Sequence, residues 1–331
     1  MKMITTIGGG TGTYTVLIGL KKYAVDLMAI VSVTDSGGST GRLRDEFGYL
    51  PVGDFRMALV ALSSGNQEED MILRKLFMYR FDKRSTGLKG HNFGNLFLVA
   101  LTDILGDEEK AIKEASRILR AMGTVIPVTT KNTQLGARYE NGEVILGETH
   151  IDEPEKDFDG TMRIKSLFLK PRARITEAAR LAITASNLVV LGPGDLFTST
   201  LANIVVAGCA RALQETRAKI IYVVNLISKY GQTYKFTAMD HVLIVTKYIG
   251  RPPDYVLVNS TPLPPDILKR YARERGFPVK DDLGGGGGYF TVIREDLLAS
   301  EEIKKPEGDV LQRSLIRHDS EKLAKEIIRI L

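Results

Sequence analysis

The residues of this chain with chemical potential sit in glycine loops rather than in nucleophile and base pairs. Gly8-Gly9-Gly10-Thr11-Gly12-Thr13 follows a β-branched run at 4–7. Asp35-Ser36-Gly37-Gly38-Ser39-Thr40-Gly41-Arg42-Leu43-Arg44 follows the apolar run 27–33, and Gly192-Pro193-Gly194-Asp195-Leu196-Phe197-Thr198-Ser199 follows 188–191. Each loop stands between a strand and a helix, where unsatisfied N–H groups and the helix dipole favour an anion, most often a phosphate. The loops therefore propose a phosphorylated ligand. Arg42, Arg44 and Arg56 add guanidinium groups that can each bond two phosphate oxygens at once. If the second loop turns into a helix, a spacing of two puts Arg42 and Arg44 on different faces. Arg42, nearer the turn, is then expected on phosphate, with Arg44 solvated or paired with Asp45 or Glu46. Asp35 is placed to accept from a sugar hydroxyl or to hold a metal, or simply to cap its own loop.

Two further stretches carry polar groups at helix starts. Pro51-Val52-Gly53-Asp54-Phe55-Arg56 leads into an apolar helix at 57–62, so Asp54 either caps that helix or lines a pocket with Arg56. In Gly90-His91-Asn92-Phe93-Gly94-Asn95, which precedes another apolar helix at 96–105, His91, Asn92 and Asn95 supply more hydrogen-bonding groups than a cap requires. The first loop is not a Walker A motif, because no Gly-Lys-Ser/Thr closes it. It also misses the strict dinucleotide fingerprint, having Thr13 where the third glycine should stand. Asp35 ends strand two, as in an NAD-dependent oxidoreductase, but it opens another glycine loop instead of a plain turn.

The elements that must position these groups alternate between strand and helix. Helices are expected at 14–22, 66–82, 107–121, 176–185, 240–247, 265–275 and 319–331, and strands at 220–225, 255–259 and 289–293. Such alternation predicts an α/β, doubly wound, mostly parallel sheet whose ligand lies beyond the carboxyl ends of the strands, at a switch point. From 124 to 175 short β-like runs, including 125–128, are separated by turn signals such as Asn141-Gly142, which reads as an inserted antiparallel β excursion. The acidic group at 152–159 reads as a solvated loop. Gly284 to Gly288 reads as a linker.

With 331 residues, 44% of them hydrophobic, the chain can bury a large core. A net charge of +5, without a basic tail, suits anionic metabolites and does not call for nucleic acid. The single cysteine, Cys209, lies in an apolar helical run and reads as a core residue; one cysteine permits no internal disulfide and fits a reducing compartment. No leader-like segment or apolar run of membrane-spanning length is seen, so a cytoplasmic protein without membrane contact is expected.

Taken in order, the five motifs at 8–12, 35–44, 51–56, 90–95 and 191–199 resemble those of the YvcK family, the gluconeogenesis factors, within the CofD-like proteins. The other well-known branch of that group is 2-phospho-L-lactate transferase. The resemblance runs from about residue 3 to about 260, with a weaker tail through Arg317-His318-Asp319. It implies a Rossmann-like fold, one CofD-like domain over 1–331 with its β-rich insertion at about 124–175 and an extension at about 280–331. It also implies a nucleotide sugar as ligand, usually UDP-N-acetylglucosamine, with links to carbon metabolism, cell-wall supply and cell shape. A protein partner and a homo-oligomer are expected. The transferase branch implies a nucleotide diphosphate donor and magnesium, for which Asp35 is the one candidate ligand. Ser36 stands where the family commonly has a second aspartate, which lowers the expected affinity for a hard cation. The nucleotide and phosphate set is thus expected to be Gly8, Gly9, Gly10, Thr11, Gly12, Thr13, Asp35, Gly37, Gly38, Ser39, Gly41, Arg42, Asp54, Arg56, His91, Asn92, Asn95, Gly192, Pro193, Gly194, Asp195 and Thr198.

Overall fold

The computed structural model describes residues 1–64, 68–81, 87–155, 157–300 and 315–331. Parts of three expected features lie outside the described residues: 66, 67 and 82 of the helix at 66–82, Lys156 of the acidic loop, and 301–314 of the C-terminal extension. Strand β1 (Met3–Gly8) opens the chain, and its Ile4, Thr5, Thr6 and Ile7 are all buried, as a central parallel strand covered on both faces requires. The glycines stop the strand, and α1 (Gly10–Leu20) begins after an extended Gly9 that offers no side-chain cap. The first half continues through β2 (Asp26–Val31), α2 (Gly38–Phe47), α3 (Gly53–Leu62), α4 (Glu68–Met78), α5 (Phe93–Leu105), α6 (Glu108–Ile118) and β3 (Thr124–Pro127).

A small excursion follows: β4 (Gln134–Tyr139), β5 (Val144–Leu146), α7 (Glu148–Asp152) and β6 (Ile164–Lys170). Its strands form an antiparallel sheet in the order β5-β4-β6. The α/β rhythm then returns with α8 (Glu177–Ala185), β7 (Leu188–Leu191), a π-helical turn at Leu196–Thr200, α9 (Leu201–Ile204), α10 (Cys209–Glu215) and β8 (Lys219–Val223). It closes with α11 (Ala238–Ile249), β9 (Tyr255–Asn259), α12 (Pro265–Arg273), a 3₁₀ turn at Gly286–Gly288, β10 (Thr291–Glu295) and α13 (Ser320–Ile330).

The main sheet runs β10-β9-β8-β7-β1-β2-β3 with every neighbouring pair parallel. The chain winds outward from β1 to β3, then restarts on the other side of β1 with β7, so the switch point lies between β1 and β7. On this sheet α1 packs between α3 and α13, and α10 between α8 and α11. Cys209 is fully buried in that core, and burial raises its thiol to about 12.

One boundary differs from expectation. The run 125–128 is not part of the antiparallel excursion: β3 pairs parallel with β2 at the edge of the main sheet, and only β4 onward is inserted. Both settings bury the same apolar run, so composition does not separate them. The C-terminal extension is built into the fold, since β10 pairs with β9 and α13 packs on α1. Asp319 caps α13 by accepting from the N–H groups of Glu321 and Lys322.

Candidate functional site

One cleft of about 1770 Å³ opens at the carboxyl ends of β1, β2, β7 and β8. Gly9, Gly10, Thr11 and Gly12 of the first loop line it, as do Asp35, Gly37, Gly38, Ser39 and Arg42 of the second and Pro193, Gly194 and Asp195 of the third. Asp54, Arg56, Gly90 and Asn95 join them. Three loop-to-helix junctions and the hexad at 90–95 therefore converge, as switch-point geometry demands. The other expected residues stand behind this surface. Gly8 ends β1, and Thr13 turns inward, 3% exposed. Gly41 packs its α-carbon against the Ser36 carbonyl, and Gly192 precedes a cis peptide to Pro193. His91, Asn92 and Thr198 are buried supports, because each spends its polar atoms on neighbouring protein.

The first loop is not the open anion hole that its glycines suggest. Asp54, in the first turn of α3, accepts from the Gly10 N–H at 2.8 Å, so a carboxylate of the protein already occupies the start of α1. Asp54 is therefore not a cap on its own helix; it reaches across to another. Burial and the nearby Asp35 raise it to about 7, against the opposing pull of the Gly10 N–H and Arg56. Burial likewise raises Asp35, although the Gly37 N–H, Thr40, Arg56 and Arg44 oppose it. Glu148 of α7 completes the group: burial, then Asp35, Asp152 and Asp54, hold it well above the usual carboxylate range. Glu148 lies in a stretch that reads only as β excursion, and no local pattern brings it near Asp35 and Asp54. Ser36 bonds the Thr149 hydroxyl and accepts from the Thr149 N–H, both at 3.0 Å, so it anchors α7 to the second loop. Among the described residues no three His, Cys, Asp or Glu side chains assemble as a metal-binding group. Asp35 accepts from the Gly37 N–H at 2.9 Å.

The hexad stiffens the second loop from behind. Ser39 Oγ lies 3.2 Å from His91 Nδ1 and accepts from the Asn92 N–H and Asn95 Nδ2, both at 3.3 Å. Asn95 in turn accepts from Arg56 Nε at 2.9 Å, while Asn92 caps α5. Burial, then Arg42, lower His91, which leaves it neutral near pH 7. Arg42 is exposed on the cleft and donates twice to the Lys89 carbonyl at 3.2 Å. Arg44 takes the second of its two expected forms: it is 8% exposed and pairs with Asp45 at 3.4 Å, while its Nη1 has no hydrogen-bond partner among the described residues. Arg42→Ala is expected to weaken a nucleotide diphosphate by about 1.5–3 kcal/mol without changing the melting temperature. Arg44→Ala is expected to lower stability by about 1–3 kcal/mol instead. Titration and thermal melts of both variants decide it, and a larger affinity loss at Arg44 reverses the assignment.

The third loop is tied to the excursion by charge. Lys229 Nζ, in the loop after β8, bonds Asp195 Oδ2 at 2.8 Å and also Asp152 at the end of α7. Asp152 accepts in addition from Gln232 Nε2 at 2.8 Å and from the Thr198 hydroxyl at 3.3 Å. Burial, then Asp195, raise Asp152 to about 6. Burial would raise Asp195 too, but Lys229 prevails and holds it below its usual value. The polar loop 228–233 carries no motif, so sequence reasoning misses Lys229; the acidic run that reads as a solvated loop supplies Asp152. Lys229→Met is expected to cost about 1–2 kcal/mol, reduced from a fully buried pair because the lysine is one-third exposed. Urea unfolding should show the largest loss above pH 6 and a shrinking one as Asp152 takes up a proton. A loss independent of pH would make the lysine's packing, not its charge, the cause.

The family model of 2-phospho-L-lactate transferase CofD matches residues 4–298. A chain from Aquifex aeolicus is 40% identical over 99% of this chain and 96% of its own. The Gluconeogenesis factor of Bacillus subtilis is 36% identical over 99% of this chain and 98% of its own. A crystal structure of a UPF0052 family member from Bacillus halodurans superposes with a TM-score of 0.87 at 33% identity, covering 99% of this chain and 98% of that one. The same ordered glycine loops on the same doubly wound sheet, matched over nearly the full length of both chains, place this chain in the YvcK family, the gluconeogenesis factors, among the CofD-like proteins.

Proposed function

We propose that the chain is a cytoplasmic nucleotide-sugar binding protein, of the UDP-N-acetylglucosamine type, acting as a regulator in carbon metabolism and cell-wall or cell-shape control through a protein partner. The observation that carries this reading is the composition of the cleft. Its expected site residues are glycines, hydroxyls, amides, arginines and carboxylates raised by burial, and the hydroxyl–imidazole pair among them, Ser39 with His91, has its hydroxyl also held by the Asn92 N–H and Asn95 Nδ2. Such a set recognises better than it reacts. The diphosphate would lie across the first and second glycine loops, near Asp54 at the start of α1 and with Arg42 donating, and Asp35 would accept from a sugar hydroxyl.

A second reading, transfer of a phosphate-linked group from a nucleotide diphosphate donor, is favoured by two observations. The matching family model is named for a transferase, and the cleft exceeds the roughly 300–1,000 Å³ of an ordinary small-molecule pocket. Phosphoryl-type chemistry needs chiefly positioning and charge neutralisation, so the lack of a triad does not count against it. Thermal-shift titration against UDP-, GDP- and NAD-type ligands, with and without magnesium, separates the readings. A ligand at about a hundred times its dissociation constant adds about 2.7 kcal/mol of stability. A shift with UDP-N-acetylglucosamine alone supports the regulator. Magnesium-dependent binding of a guanosine diphosphate donor supports the transferase, and response to NAD alone would overturn both.

A further inference from the structure

We infer that the wall of the cleft formed by Tyr230 and Arg275 seats the ligand's nucleobase, with the Arg275 guanidinium stacked between the Tyr230 ring and the base. This rests on the nucleotide reading above and adds where the base lies and what selects a planar ring. The Arg275 guanidinium carbon stands 4.6 Å from the centre of the Tyr230 ring, and Arg275 also donates to the Tyr230 hydroxyl. Both residues line the cleft, and Arg275 is exposed there.

The backbone that carries Arg275 and the ring beside it are set by the fold. Arg275 has φ +57°, a left-handed backbone uncommon for a residue with a side chain, and the Arg275 and Gly276 N–H groups hold it by donating to the Ala272 and Tyr271 carbonyls. Tyr230 is backed by Gly160 of the excursion, where an added Cβ would stand 2.5 Å from the ring. A guanidinium stacked on an aromatic ring offers its outer face to a second planar group and is weakly hydrated, so covering it with a base costs little. Ile227, Tyr271 and Ile316 line the same lobe and give the heterocycle an apolar wall. The lobe follows β8, one strand over from the third glycine loop, which leaves the phosphates on the loops and the base beside them.

Calorimetric titration of the full chain tests this with three probes: UDP-N-acetylglucosamine, UMP, and N-acetylglucosamine 1-phosphate, which has no base. Arg275→Ala should weaken the first two about tenfold and leave the third within about twofold. Arg275→Lys, which keeps the charge and loses the plane, should behave like the alanine variant. Because Arg275 is exposed, thermal melts of both variants should match the wild type. Equal weakening of all three probes would make Arg275 a charge contact and overturn the inference, as would no weakening at all. If the wild type binds GMP or AMP but no uridine nucleotide, and Arg275→Ala weakens that binding, the stacking plane stands and the uridine reading falls. If no nucleotide binds, both fall.

Discussion

Gly12→Ala is expected to destabilise the protein by about 3 kcal/mol and to abolish nucleotide binding, the largest single-methyl effect in the site. A Cβ at position 12 would stand 1.9 Å from the Pro193 carbonyl oxygen and 2.9 Å from the Gly194 nitrogen. Those atoms are backbone and cannot swing aside as a side chain would. Gly12 belongs to the first turn of α1, where alanine is ordinarily the better helix former by roughly 0.5–1 kcal/mol, so any loss must come from the contact between loops. The two loops follow β1 and β7, the strands that flank the switch point, and making room for a methyl between them also separates the groups lining the cleft. Urea unfolding and ligand titration on the one variant test both halves. Wild-type stability would mean that the loops do not touch in solution, and lost stability with full affinity would mean that the third loop takes no part in binding.

This contact also shows what in the sequence is legible. The run of β-branched residues ending in glycines marks β1 and the start of α1, and the repetition of that pattern at 27–41 and 188–199 announces a parallel sheet with loops on one edge. Which glycine serves which purpose is not legible. Gly12 reads with its neighbours as a phosphate cradle, and besides lining the cleft it is the point where the loops after two strands meet. Asn92 and His91 carry the signature of a binding loop, yet their polar atoms hold Ser39 and the α5 terminus. A hydrogen-bonding residue at a helix start looks the same whether its partner is a ligand or a side chain from a distant part of the chain.

The groups that sequence reasoning misses share a cause. Asp152, Lys229 and Tyr230, which line the cleft, and Glu148, which stands beside its carboxylates, come from stretches without periodicity or motif, and they are brought there because Ser36 anchors α7 to the second loop and Lys229 bridges α7 to the third. The excursion is thus the floor of the cleft as much as an insertion in the chain. For Arg44, helical spacing tells that it leaves the face of Arg42 and can pair with Asp45, but not that the face to which it turns is buried.

The second large effect expected is a pH dependence of binding that resides in Asp54. UDP-N-acetylglucosamine, whose diphosphate is esterified at both ends and gains no proton between about pH 5 and 8, should bind several-fold more tightly at pH 6 than at pH 8. Asp54→Asn should remove most of that difference by raising the affinity at pH 8. The ground is the carboxylate held at the Gly10 N–H, where the dipole of α1 would otherwise meet the ligand's phosphates. Two anionic groups in a partly water-filled cleft repel by about 1–2 kcal/mol, so a phosphate favours the neutral carboxyl and affinity follows its proton. The same shift acts on stability. Burial, and then Asp35, place the folded-state value at about 7, above the 3.8 of an unperturbed aspartate. The native state therefore holds the extra proton between those values. The favourable contribution is complete below pH 3.8 and is lost as pH rises through 7. Since Asp54 is partly exposed to the cleft, that loss is put at about 1 kcal/mol rather than the full value of the shift. The carboxamide introduced by Asp54→Asn keeps an oxygen for the Gly10 N–H and has no proton to lose, so the variant's unfolding free energy should overtake that of the wild type between about pH 5 and 8. Calorimetric titration at pH 6, 7 and 8, with urea unfolding at the same values, reads both effects. An affinity that is flat with pH in the wild type would place the diphosphate away from the start of α1. A loss of affinity in Asp54→Asn at every pH would make the carboxylate a direct acceptor for the ligand.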